Sequence, residues 1–228
     1  QGTVNTTGTN FRVNDPPLLM SEIQYRRNQG KVDGGLAATY RLGGWHHFGE
    51  FHDHRFDTDG LLLASPFSNG IARRIRGNSG IYAVFDQQLY RLEGGGPDSG
   101  IGIFGRISVS PSASSHLDFF LDGGIVFSGM TPGRPDDKFG TSFICANISR
   151  HVRGFDRDLI AHSGNLTPIR NYEMTIELSY QALVVPGWTI QPNFQYVIHP
   201  GGHTSDPARP EHPIRNGPVL GVRTTVAY

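Results

Sequence analysis

Hydrogen-bonding side chains recur at every second position in several segments of this chain of 228 residues. In the segment 172–184, for example, Glu173, Glu177 and Gln181 alternate with apolar residues. The same alternation, followed through the other segments, gives one set of candidate solute-contacting residues. The set comprises Glu22, Gln24, Arg26, Arg41, Trp45, Asp86, Gln88, Arg106, Asp118, Asp122, Glu173, Glu177, Gln191, Asn193, Gln195 and Arg223.

This candidate set mixes both signs of charge with amides, and the mixture limits the chemistry. A filter for anions carries mainly Arg and Lys, and a filter for cations carries mainly Asp and Glu. A mixed lining favours neutral, hydroxyl-rich solutes, because guanidinium, carboxylate and amide groups can each bind two vicinal hydroxyls. Opposed charges on one face also pair with each other and hold a barrel round, so the structural interpretation stays open for each residue.

Alternation with a period of two is typical of β-strands. Strand-like segments of 9–13 residues recur between clusters of Gly, Pro, Asp and Asn, whereas helical periodicity is almost absent. These lengths exceed the ~5–6 residues of a usual globular strand and suit a tilted membrane crossing of about 9–11 residues. We predict about nine strands: Leu19–Arg27, Leu36–Phe48, Ile81–Leu92, Ile101–Ser110, His116–Phe127, Phe139–His151, Tyr172–Val184, Trp188–Ile198 and Val219–Tyr228.

The connections between these segments alternate in length. Short turns at one end and long loops at the other are typical of outer-membrane barrels, whose short turns are periplasmic. The connection Pro111–Ser115 is an exception, because it is short where a long loop is expected. The predicted short turns are Asn28–Gly35, Glu93–Gly100, Thr131–Lys138 and Val185–Gly187, and the predicted long loops are Gly49–Gly80, Val152–Asn171 and His199–Pro218.

The apolar sides of the strands place aromatics near the ends and aliphatics in the middle, as in the girdles of a membrane barrel. The polar sides hold almost no Lys, unlike the water-facing side of a soluble sheet. The last strand ends on Tyr228, which we expect to be a periplasmic girdle residue. We therefore predict an all-β fold, an antiparallel transmembrane β-barrel.

The odd strand count has a consequence for domain organisation. Bacterial single-chain barrels have even numbers of strands, and an open sheet with two unpaired edges is not stable in lipid. We therefore predict that residues 1–228 are one barrel domain, the C-terminal portion of a larger barrel whose N-terminal strands are missing. The residues after Gln1 lack the basic and apolar regions of a signal peptide, so none is predicted.

Several function classes are not expected. A net charge of zero gives no reason to expect a nucleic-acid partner. Glu173 and Glu177 lie four residues apart on one strand, so about 13 Å separates their Cα atoms, too far for most acid–base pairs. We predict no enzyme activity and no cofactor. The lone Cys145 excludes an intramolecular disulfide framework within the chain.

A patch rich in His between Trp45 and His54 contains residue types that ligate zinc. However, His46 and His47 point to opposite faces of a strand, whereas His52 and His54 begin a long predicted loop. We expect exposed and interfacial imidazoles there and no metal site.

Motifs along almost the whole chain resemble the OprB type of carbohydrate-selective porin. The matching stretches are YRRNQGK (25–31), YRLGGW (40–45), GIYAV (80–84), FLDGG (120–124), PGRPDD (132–137), WTIQP (188–192), HPGG (199–202) and LGVRTT (220–225). The resemblance implies a sixteen-stranded barrel in the bacterial outer membrane that passes monosaccharides and similar small polar solutes by passive diffusion. It also implies small sugars, membrane lipid and lipopolysaccharide as partners, and it leaves monomer and homo-oligomer both open.

Two alternatives stay open at this point. One is a soluble β-sandwich that binds carbohydrate and uses Trp45 and Tyr82 as stacking platforms. The other is a structural barrel within an envelope assembly. A requirement for detergent and a gel mobility that shifts on boiling would distinguish a barrel from a soluble sandwich.

Overall fold

The computed structural model describes residues 15–29, 34–164 and 166–227. Nine strands of this part form one antiparallel sheet in the order β1-β2-β3-β4-β5-β6-β7-β8-β11, and β9 and β10 form a separate hairpin. The elements are β1 (Leu18–Arg27), β2 (Ala38–Asp57), β3 (Ala72–Tyr90), β4 (Gly100–Val109), β5 (Leu117–Ser128), β6 (Lys138–Ile148), α1 (Arg150–Ser163), β7 (Tyr172–Val185), β8 (Trp188–Ile198), α2 (Pro200–His203), β9 (Ser205–Asp206), β10 (Arg209–Pro213) and β11 (Gly217–Val226).

The all-β antiparallel prediction and the count of nine large strands are confirmed. Each large strand pairs with the next large strand in the chain, and between β8 and β11 this meander is interrupted by α2 and the β9–β10 hairpin. In the described part no second large sheet lies over the first, which disagrees with the β-sandwich alternative. The sheet is open, with β1 and β11 at its edges.

The structure differs from the prediction between residues 49 and 80, where we expected a loop. Here β2 and β3 extend to 20 and 19 residues and pair as far as Asp57 and Ala72. The pairing register shifts after His47 and again after His52, so the simple alternation is lost. Polar residues also occupy both sides of this extension, which hides a strand from a search for one apolar face.

The connection between β6 and β7 also differs, because it contains the 14-residue helix α1 instead of an irregular loop. Ser149 caps its N-terminus by accepting a hydrogen bond from the backbone N–H of Val152 at 3.3 Å. Gly164, with φ of 71°, closes its C-terminus in the left-handed conformation that favours glycine. Within the described ranges, no helix is long and apolar enough to cross a membrane.

One side of the sheet carries large apolar residues that are strongly exposed. Ile23 is 76% exposed and Leu220 is 82% exposed, and Leu42, Ile81 and Ile176 on the intervening strands are exposed as well. The pairs Ile23–Leu42 and Phe143–Ile176 show that these residues share one side, which we call the apolar face. A continuous apolar surface of this extent is suited to contact with lipid. The predicted girdle residue Tyr228 lies outside the described residues.

Candidate pore lining

The pairing register and the alternation along each strand place the predicted lining residues on the side opposite the apolar face. For Asp118 this rests on alternation along β5 alone, because the register between β5 and β6 shifts there. Residues paired directly across two strands share a side. One such row runs from Gln24 through Arg41, Val84 and Arg106 to Asp122 across five strands. We call this side the polar face; it carries Glu22, Gln24, Arg26, Arg41, Trp45, Asp86, Gln88, Arg106, Asp118, Asp122, Glu173, Glu177, Gln191, Asn193, Gln195 and Arg223. Their contact with solute stays a prediction.

Several side chains of the polar face are paired with each other. Arg106 Nε lies 2.7 Å from Asp122 Oδ2, and Asp122 is buried. Arg41 and Asp86 form a looser pair at 3.6 Å. Such pairs neutralise the charge of the polar face locally, and the side chain of Arg106 stays 59% exposed.

A second group of contacts lies on the other half of the polar face. Gln195 donates a hydrogen bond from Nε2 to Glu177 Oε2 at 2.6 Å. Glu173 Oε2 accepts a hydrogen bond from the backbone N–H of Gly201, at 2.6 Å, and thus ties α2 to β7. Sequence alternation makes the two glutamates equivalent, but their contacts differ. Glu177 contacts a neighbouring strand within the polar face, whereas Glu173 anchors the connection that contains α2.

Helix α1 is attached at the polar face through Asp118. The Asp118 carboxylate accepts hydrogen bonds from Ser112 Oγ at 2.6 Å, Asn147 Nδ2 at 2.7 Å and the backbone N–H of Arg150 at 3.0 Å. Because Arg150 is the first residue of α1, this carboxylate fixes the point at which the helix begins beside the sheet.

The extended part of β2 holds the same helix along its length. Asp53, whose side chain is 0% exposed, accepts from Arg73 Nη2 at 2.6 Å and lies 2.9 Å from Nδ1 of His151 in α1. Arg55 contacts Asp158 of α1 in a bidentate pair, with N–O distances of 2.7 and 3.0 Å. The strand extension and the helix, both missed from the sequence, therefore support each other.

Beyond the helix, Arg170 donates to both carboxylate oxygens of Asp156, at 2.9 and 2.6 Å. This pair fixes the segment that returns from α1 to β7. Together with the contacts of Asp53, Asp118 and Asp158, this pair gives the helix four carboxylate-based attachments.

The short turn before β6 is closed by Asp137, within the PGRPDD motif. Asp137 is almost fully buried and accepts hydrogen bonds from Arg134, from the Tyr180 hydroxyl and from the backbone N–H of Leu183 at 3.0 Å. The Arg134 guanidinium and these other donors outweigh the effect of burial and lower the pKa of Asp137 from 3.8 to about 2. This residue was not among the predicted ones, although its motif was.

We expect this turn to make the barrel less stable in acid. The folded pKa of Asp137 lies below its unfolded value of 3.8, so its contribution is present above that value and is lost as the pH falls toward about 2. The thermal unfolding midpoint, followed by the gel-mobility shift on heating, should therefore drop by several degrees over this interval. Asp137→Asn should lower the midpoint at neutral pH and weaken the acid-dependent drop.

The matched control for this prediction is Asp136→Asn, which removes the same charge from an exposed neighbour in the same turn. It should leave both the midpoint and its pH dependence close to those of the unchanged protein. Equal behaviour of the two variants would contradict the role of Asp137.

Residues 1–228 match the sequence model of the family described as carbohydrate-selective porin, OprB family. The chain belongs to this family. OprB porins are outer-membrane proteins, so the predicted resemblance and location are both confirmed. The homologues are porins and not enzymes.

Two relatives show how much of a porin the chain covers. It is 26% identical over 210 residues to Porin B of Pseudomonas aeruginosa. This match covers 86% of this chain and 44% of Porin B. The high-pH structure of Pseudomonas putida OprB matches with a TM-score of 0.81 and 25% identity, over 96% of this chain and 51% of that one. The chain thus spans about half the length of these relatives.

Proposed function

We propose that this OprB-family chain forms one side of an outer-membrane pore through which monosaccharides and similar small polar solutes diffuse passively. The observation that supports this proposal is the register, which collects the mixed Arg, carboxylate and amide side chains on one face and the exposed apolar residues on the other. A solute would exchange part of its hydration shell for hydrogen bonds to the polar face. Binding has to stay weak, because the solute must also leave.

We propose further that the nine strands are one part of a single closed barrel. The edge strands β1 and β11 run in the same direction, since eight antiparallel pairings separate them. Antiparallel closure therefore needs an odd number of further strands from outside the described sheet. The closed barrel would place outer-membrane lipid and lipopolysaccharide around the apolar face, and it is compatible with a monomer or a homo-oligomer.

The proposed function is tested with Arg41→Ala and Glu177→Ala in the complete barrel. Each change removes a charged hydrogen-bonding group from the polar face, and Glu177 also loses its contact with Gln195. We expect glucose entry to change about two- to tenfold, because a net hydrogen bond contributes about 0.5–1.5 kcal/mol. Liposome swelling with glucose and with an uncharged amino acid measures the effect.

Arg74→Ala is the matched control, because it breaks an exposed Arg–Glu contact of 3.1 Å with Glu50 in the extended part of β2 and β3. This variant should swell like the unchanged protein. Unaltered rates for both solutes in Arg41→Ala and Glu177→Ala would show that these residues do not select solutes.

A further inference from the structure

Two aromatic rings lie side by side on the polar face. Trp45 of β2 and Tyr82 of β3 have ring centroids 6.5 Å apart and ring planes inclined by 29°. In the pairing of these two strands, Trp45 is opposite Gly80 and Tyr82 is opposite Gly43. Between β2 and β3 each ring therefore has a glycine as its cross-strand neighbour, and the two pairs are adjacent. On their other sides, Trp45 is opposite Met20 of β1 and Tyr82 is opposite Ser108 of β4.

The glycines determine how the rings lie. A Cβ atom at Gly80 would collide with the Trp45 indole, and a Cβ atom at Gly43 would collide with the Tyr82 ring. The rings occupy the space that side chains would fill, so they lie along the sheet. They are half-buried, and together they form an apolar platform on the polar face.

Hydrogen-bonding groups border this platform. The Tyr82 hydroxyl donates a hydrogen bond to Glu22 Oε2 at 2.8 Å. This bond uses one of the two oxygens of the exposed Glu22 carboxylate. Arg41 lies on the same face of β2, two residues before Gly43, and its guanidinium is 3.6 Å from the Asp86 carboxylate. The platform thus combines a flat apolar surface with a carboxylate and a guanidinium at its border.

We propose that Trp45 and Tyr82, with Glu22 and Arg41 at the border, form a binding subsite for a pyranose ring. A pyranose has one face of C–H groups, which suits an aromatic surface, and equatorial hydroxyls, which suit the bordering charged groups. An open-chain polyol of the same size has the hydroxyls without the flat C–H face. The subsite therefore distinguishes ring sugars from linear polyols, and it rests on the proposed pore function.

A purely structural role for the rings, as cover for the glycine backbone, makes a different prediction. The chain offers a matched control on the opposite side of the sheet, where Phe85 of β3 lies over its cross-strand neighbour Gly105 of β4. Phe85 is on the apolar face and is exposed there. Phe85→Leu removes a ring from a glycine as Trp45→Leu does, without changing the polar face.

The test is a conductance titration of the complete barrel in planar bilayers with glucose and, separately, with sorbitol. Trp45→Leu and Tyr82→Leu should each raise the half-blocking glucose concentration about two- to tenfold, the range expected for a lost aromatic contact. Sorbitol titrations should not change, and Phe85→Leu should titrate as the unchanged protein does. Tyr82→Phe should keep most of the glucose affinity, because it retains the ring.

The outcomes separate the subsite from the pore itself. Trp45→Leu and Tyr82→Leu channels could conduct normally and show the same glucose titration as the unchanged protein. This outcome would overturn the subsite alone. An equal loss for glucose and sorbitol would also overturn it. Absence of any channel from the unchanged protein would overturn the pore function on which the subsite rests. Heat-modifiable gel mobility verifies the folding of each variant, and Tyr82→Leu is decisive if Trp45→Leu does not fold.

Discussion

Asp53→Ala is expected to loosen helix α1 and, since we propose that α1 narrows the pore, to let larger saccharides through. The fully buried Asp53 carboxylate binds Arg73 at 2.6 Å and lies 2.9 Å from His151 of the helix. It also accepts a hydrogen bond from the backbone N–H of Arg55 at 2.9 Å, so one carboxylate joins β3, α1 and the irregular end of β2. Removing it leaves these donors without their acceptor, at a local cost of about 1.5–3 kcal/mol.

Liposome swelling with a series of saccharides of increasing length measures the size limit of the pore. We expect Asp53→Ala to shift the limit upward by at least one sugar unit while glucose entry continues. Glu50→Ala is the matched control, since Glu50 is an exposed carboxylate on the same strand, and its pair with Arg74 at 3.1 Å is also exposed. An unchanged size limit in Asp53→Ala would show that the attachment of α1 does not set the aperture.

Ile176→Arg is expected to destabilise the folded barrel by about 2–4 kcal/mol, the cost of a guanidinium on the lipid side near the bilayer midplane. Ile176 lies near the centre of β7 on the apolar face, between Phe143 of β6 and Tyr196 of β8. Its side chain is exposed in the described sheet. In lipid, the introduced charge would have hydrocarbon on one side and two aromatic neighbours beside it.

The free energy of unfolding in lipid vesicles, from denaturant titration, measures this cost. Thr175→Arg is the control, because Thr175 is the next residue of the same strand and lies on the polar face, opposite Ile144 and Val197. We expect Thr175→Arg to change stability by much less. Equal losses in the two variants would contradict the assignment of the apolar face to lipid.

The strands could be predicted from the sequence because each membrane crossing must present one apolar side to lipid, which imposes a strict period of two. The same reasoning failed beyond the crossings. From residue 49 to residue 80 neither side needs to be apolar, and a register shift removes the period. Strand extension there depends on pairing between β2 and β3, which alternation does not reveal.

Helix α1 was missed for a related reason. Ser149 and Gly164 are recognisable capping residues, and three apolar residues between them, Val152, Phe155 and Leu159, recur at helical spacing. This apolar stripe is short and the other residues are mostly polar, so a pattern of alternating apolar residues does not reveal it. Its position depends on carboxylates that are distant in the chain, such as Asp53, which lies 98 residues from His151. Contacts of this kind follow from the three-dimensional arrangement of the strands.

The candidate lining was predictable as a face but not as a set of partners. Alternation assigns Arg106 and Asp122 to one side, but only the register shows that they are direct neighbours. The same applies to the aromatic platform: the sequence shows Trp45 and Tyr82, whereas their glycine partners become apparent only when β2 and β3 are aligned.

The four carboxylate attachments of α1 bear on how such a channel could be regulated. Moving the helix away from the sheet would break the contacts of all four together, those of Asp53, Asp118, Asp156 and Asp158. In the pore that we propose, a helix held in this way would act as a fixed sieve, and the net flux would follow the concentration difference alone. A cell would then adjust uptake through the number of channels in its outer membrane, because the opening of each one is already decided when it folds.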